Sequence, residues 1–116
     1  LARAATLAAA VGDRVLMANV ERFSSRLARV RGDAAAAQAH VERALELAGE
    51  PSLERAAAFR ELALLRAAQG RSDEERDALR SAGELYRALG AEWRARDAAD
   101  ALAASLRHSL PAQEER

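Results

Sequence analysis

Three arginines, Arg22, Arg26 and Arg29, recur at i, i+4 and i+7 and so share one side of any helix that carries them. A guanidinium offers a planar fork of donors that matches a carboxylate, so a stripe of three is suited to holding acidic groups. No acidic residue lies three or four positions away within the same helix; Asp33 follows Arg29 only across a turn. Elsewhere the chain pairs its charges at helical spacing: Arg80 with Glu84, Glu84 with Arg87, Glu92 with Arg96, Arg96 with Asp100. Like charges at that spacing cost a few tenths of a kcal/mol each. The stripe therefore needs Glu42, Glu46 or solvent to satisfy it, or a carboxylate from another molecule.

Other chemistry is sparse. The two histidines, His40 and His108, have no acid or thiol constellation around them in sequence, so both read as solvated residues. There is no cysteine, no glycine-rich phosphate loop, no H-E-x-x-H helix and no metal-ligand spacing. Asp73-Glu74-Glu75 and Glu114-Glu115 read as a helix N-terminus and a solvated tail. Trp93 is expected to pack at the start of the last helix. The expectation is a protein that is not an enzyme and needs neither metal nor cofactor.

The elements that position these residues follow from composition. Of 116 residues, 32 are Ala and 16 are Leu; all 18 basic residues are Arg, balanced by 18 acidic ones. Five Val, one Thr and no Ile cannot furnish a sheet, whereas Ala, Leu, Arg and Glu are the strongest helix formers. An all-α chain is nearly forced, with thin apolar layers between helices that approach closely over Ala. Net charge of zero argues against direct nucleic-acid binding. No apolar run reaches the ~20 residues of a membrane span, and the absence of cysteine fits a cytoplasmic setting. The chain begins without Met, which suggests a piece of a larger protein.

Punctuation is regular. Gly12, Gly32, Gly49, Gly70 and Gly90 mark helix ends, with Gly83 off the rhythm; Asp13, Asp33 and Ser72 read as N-caps, and Pro51 as a first-turn residue. This predicts six helices near 1–11, 14–31, 34–48, 51–69, 73–89 and 91–108, in a single domain over 1–108 with a frayed charged tail at 109–116. The second helix should bury Leu16, Val20, Phe23, Leu27 and Val30, the third Ala37, Val41, Ala44 and Ala48, the fifth Leu79, Ala82, Leu85, Tyr86 and Leu89, and the sixth Ala95, Ala99, Leu102 and Leu106. The fourth is apolar nearly all round and should be central.

A repeat is visible. Superposing Gly32-Asp33 on Gly70-Arg71 sets Val41 over Leu79, Ala44 over Ala82 and Leu47 over Leu85, a period near 38 residues and hence of two helices. The run from Gly32-Asp33 through Ala37 to Ala44-Leu45-Glu46-Leu47 resembles the tetratricopeptide repeat, in which small residues let the two helices of a hairpin approach. The second copy departs from the pattern at Glu75, no Pro closes the repeats, and Trp93 lacks the Leu-Gly pair of the family tryptophan. The long period is similar to that of sensor arrays in large bacterial regulators, including LuxR-type transcription factors and signalling ATPases.

That resemblance implies antiparallel hairpins stacked as a short solenoid, neighbours running in sequence order and the second helix touching the fourth; the alternative is a closed multi-helix bundle. It also implies a non-enzymatic scaffold that binds a protein or acidic peptide segment in a concave groove lined by first helices. Arg22, Arg26 and Arg29, and Arg60 on the Gly70 frame, would line that groove. Two other readings stand beside it. One is self-association through the end helices at Leu7, Val11, Leu102 and Leu106, and the other is a helical sensor for a small ligand.

Overall fold

The computed structural model describes residues 2–49 and 51–109, with side-chain surroundings for 12–49 and 51–108. It is all-helical over these residues, with α1 (Ala2–Val30), α2 (Ala34–Ala48), α3 (Leu53–Ala68), α4 (Ser72–Ala88) and α5 (Glu92–Ser109). Five helices replace the six expected, because α1 runs without a break through Gly12-Asp13. Gly12 keeps a negative φ. A glycine costs a helix interior only about 1 kcal/mol, less than the backbone hydrogen bonds a break would surrender. The expected self-association residues Leu7 and Val11, and the tail from Leu110 onward, lie outside the residues with described side chains.

Each helix packs on the next, α1 also packs on α3, and α5 packs along α4 rather than α1. The helices form an open row, and α3, touching α1, α2 and α4, is its central member as the sequence implied. Three of the turns share one construction. Gly32, Gly70 and Gly90 have φ of 81°, 72° and 75°. In each turn the residue after the glycine donates to a carbonyl five positions back: Asp33 to Ala28 (2.8 Å), Arg71 to Arg66 (2.9 Å), Ala91 to Tyr86 (2.8 Å). These are the paired bonds of a Schellman ending. Asp33 then caps α2 by accepting from the Ala36 amide at 3.0 Å. Ser52 caps α3 by accepting from the Arg55 amide at 3.1 Å, so Pro51 precedes the helix and is not in its first turn as expected. Ser72 does not cap; it is the first residue of α4, whose N-cap Arg71 makes no side-chain cap bond.

Ala37, Val41, Ala44, Leu79, Ala82 and Tyr86 are buried as the stripes predicted, while Leu85 is half-buried and Leu89 exposed. In α5 the buried positions are Ala95, Ala98 and Ser105; Ala99 and Leu106 are exposed, and Leu102 is engaged within the chain against Ala63, Ala78 and Leu79. Gly83 is explained by proximity: a Cβ there would lie 3.6 Å from that of Ala98, so the off-rhythm glycine marks the α4–α5 approach.

The largest departure is in α1. Its expected core stripe is exposed throughout: Leu16 62 %, Val20 54 %, Phe23 49 %, Leu27 56 %, Val30 72 %. Its buried residues are Ala18, Ser25 and Ala28 instead. Ser25 Oγ donates to the Ala37 carbonyl of α2 at 2.8 Å. Ala28 packs on Ala37 and Val41 of α2 and on Leu65 of α3, and the larger apolar residues of α1 lie on its opposite side.

Candidate functional site

The charges that matter are placed by α3. Glu61 sits mid-helix among Ala56, Ala58, Ala63 and Leu65, and is 2 % exposed. A carboxylate buried that deeply requires ionic or hydrogen-bonded partners. It accepts from Arg26 Nε at 3.3 Å and from Arg29 Nε at 3.2 Å. The arginine stripe is thus partly satisfied from within the chain, by Glu61 rather than by Glu42 or Glu46. Glu42 is engaged by Gln38 at 2.6 Å instead, and the carbonyl of Glu46 receives a bond from Arg14 at 3.3 Å.

An open groove of about 300 Å³ runs across α1, α3 and α5, floored by Tyr86 of α4. Three charged stretches meet there: Asn19, Arg22 and Arg26 from α1, Glu54, Arg60 and Glu61 from α3, and Arg94 and Asp97 from α5, with Leu53, Leu64 and Trp93 as apolar lining. The repeat resemblance implied one groove lined by Arg22, Arg26, Arg29 and Arg60; Arg22, Arg26 and Arg60 line the groove found here, whereas Arg29 turns to Glu61 and does not. Arg60 is held by Asp97 at 3.5 Å.

Arg22 differs from these. Its Nη2 donates to Asn19 Oδ1 at 3.3 Å, and its guanidinium lies 4.6 Å from the centre of the Phe23 ring. Its buried Nε has no hydrogen-bond partner. Burial, and then the charge of Arg26, push its pKa below the ordinary value, with Arg94 acting in the same direction and Glu61 against it. An arginine still stays cationic at neutral pH. Arg94 makes no ion pair among the described residues. The phenol of Tyr86 is raised by burial, while the positive charges of Arg94, Arg22 and Arg60 pull it down. The carboxylate of Asp97 opposes them. The lining carries four arginines against the carboxylates of Glu54, Glu61 and Asp97, an excess of one positive charge.

Trp93 is 77 % exposed on the groove rim and is not the packing residue expected. Its position at the second residue of α5 points it away from the α4 contact made by Ala95 and Ala98. His40, expected to be solvated, has Nδ1 2.6 Å from Glu21 Oε2, because the α1–α2 hairpin brings them together. Arg80 pairs backward with Asp77 at 3.1 Å rather than forward with Glu84. Asn19, Glu61, Tyr86, Arg94 and Asp97 were not singled out from sequence. Glu61 alone carried a usable signal, a carboxylate in the middle of a mostly apolar helix. The described residues hold no group of three or more His, Asp or Glu disposed to bind a metal ion, and none of their helices is long and apolar enough to cross a membrane. Comparison with protein-family models, with curated proteins and with solved structures finds no match for this chain.

Proposed function

We propose that the chain is a non-enzymatic binding scaffold of stacked helical hairpins, similar to a tetratricopeptide array, whose groove holds an acidic peptide segment of a partner protein. Three features support the solenoid reading: the matched turns at Gly32 and Gly70, the α1–α3 contact that skips the intervening helix, and the open row of helices. The setting would be a bacterial cytoplasmic regulator or assembly protein. The observation that carries the binding reading is Arg22, a half-buried cation in the groove with an unpartnered Nε and a second unpaired cation, Arg94, nearby. A carboxylate seated between them over Tyr86 would supply the missing acceptor. Leu53, Leu64 and Trp93 would contact an apolar neighbour in the same peptide.

Each charge-assisted contact in so open a groove contributes on the order of 1 kcal/mol, so affinity should be micromolar or weaker. The test is fluorescence anisotropy with a library of labelled seven-residue peptides rich in Asp and Glu, against their amide counterparts. Acidic members should bind, and Arg22→Gln with Arg94→Gln should weaken them roughly tenfold, the equivalent of about 1.4 kcal/mol. Arg80→Gln with Arg87→Gln, outside the groove, should change little. Equal binding of acidic and amide peptides would discard the reading.

A further inference from the structure

The exposed stripe on α1 lies outside the groove. Leu16, Val20, Phe23, Leu27 and Val30 are spaced four, three, four and three, the 3.5-residue period that keeps an apolar seam facing a partner helix. With Met17, itself 43 % exposed, they present on the order of 600 Å² of apolar surface, at the upper end of what a monomer displays. We infer that this seam pairs with the same seam of a second copy, antiparallel, to make a two-fold dimer.

Area and charge both bear on the occupant. Two such surfaces facing one another bury about 1,200 Å² in total, the lower bound for a specific interface. An isologous contact needs one self-complementary patch, and a single straight seam is such a patch. The residues flanking it decide orientation. In a parallel pair, Arg26 of each chain would face Arg31 of the other, on both sides of the seam. In the antiparallel pair the flanks become Asn19 against Arg26 and Met17 against Ser24, with no like charges opposed. That arrangement sets Leu16 of one copy opposite Leu27 of the other, and Val20 opposite Phe23. Asn19 and Arg26 thus border both seam and groove, while Arg22, Arg60 and Arg94 belong to the groove alone, so each copy of the dimer would display one groove.

Sedimentation equilibrium of the full chain from about 5 to about 200 μM tests the association. A monomer–dimer equilibrium is expected, and Val20→Glu with Leu27→Glu should shift it at least tenfold toward monomer. Helical circular dichroism should not change, since both positions are already exposed. Leu16→Glu with Val30→Glu serves as a second variant with the same expectation. Orientation is read by cross-linking, for which the absence of native cysteine is convenient. A mixture of Leu16→Cys and Leu27→Cys chains should form the mixed disulfide, while neither alone should cross-link. A strict monomer at the highest concentration, a dimer indifferent to both glutamate variants, or disulfides formed by each cysteine variant alone would overturn the inference. None of these readouts depends on peptide binding in the groove.

Discussion

Replacing Glu61 by Gln keeps the shape of the α1–α3 contact and removes its buried charge. Arg29 is 21 % exposed and Arg26 45 %, against 2 % for Glu61. The Arg29 bond is the better shielded, and its charge assistance is worth about 1.5 kcal/mol; the Arg26 bond, open to water, contributes about 0.5. The expected loss is about 2 kcal/mol. For a chain of 116 residues the unfolding entropy near the midpoint is about 0.24 kcal/mol/K, so Tm should fall by about 8 °C. Thermal unfolding followed by circular dichroism at pH 7 measures this. Release of Arg26 into the groove should at the same time tighten binding of an acidic peptide. A Tm within about 2 °C of the parent protein would refute the reasoning, because Glu61 would then be contributing no more than its desolvation costs.

Tyr86 is the single tyrosine, so an ultraviolet titration of the folded protein reports it alone. Burial raises it, and its apparent pKa should lie above 10.0. With the folded value raised, the stability it supports is complete below the unfolded pKa and is lost as pH climbs through the folded one, so urea midpoints should decline above pH 10 and not below; a midpoint that rises there contradicts the assignment. Gly83→Ala should stabilise by about 0.5–1 kcal/mol, since its Cβ meets Ala98 at an ordinary 3.6 Å. Gly70→Ala, at φ +72°, should destabilise by about 1 kcal/mol, and urea unfolding distinguishes the two signs.

Composition made the helical class plain, and the glycine register made three of the turns legible, because each depends on local backbone preference. The α1 stripe shows where local reading stops. Periodicity identified a face of Leu, Val and Phe correctly as a face, but which face meets a neighbour depends on how near that neighbour comes. The residues of α1 that become buried are the small ones, Ala18, Ser25 and Ala28. Gly12 misled for a similar reason, since a glycine permits a helix end without compelling one. In the groove, Arg22, Arg26 and Arg60 were visible as a spacing and through the repeat frame. Glu61, Tyr86, Arg94 and Asp97 come from three different helices, and no separation along the chain announces that they meet.

Trp93, the only tryptophan, stands on the rim of the groove and reports on its contents without a label. The most direct test of the groove as an acidic-peptide site is therefore its emission during titration with a glutamate- and leucine-containing heptapeptide, at low and at high salt. Binding should shift the emission to shorter wavelength as Trp93 is covered. It should weaken as salt screens the charges, and should be lost together with the arginines in Arg22→Gln, Arg94→Gln. An emission shift that is the same at both salt concentrations and in the double variant would contradict the account, and so would no shift at millimolar peptide.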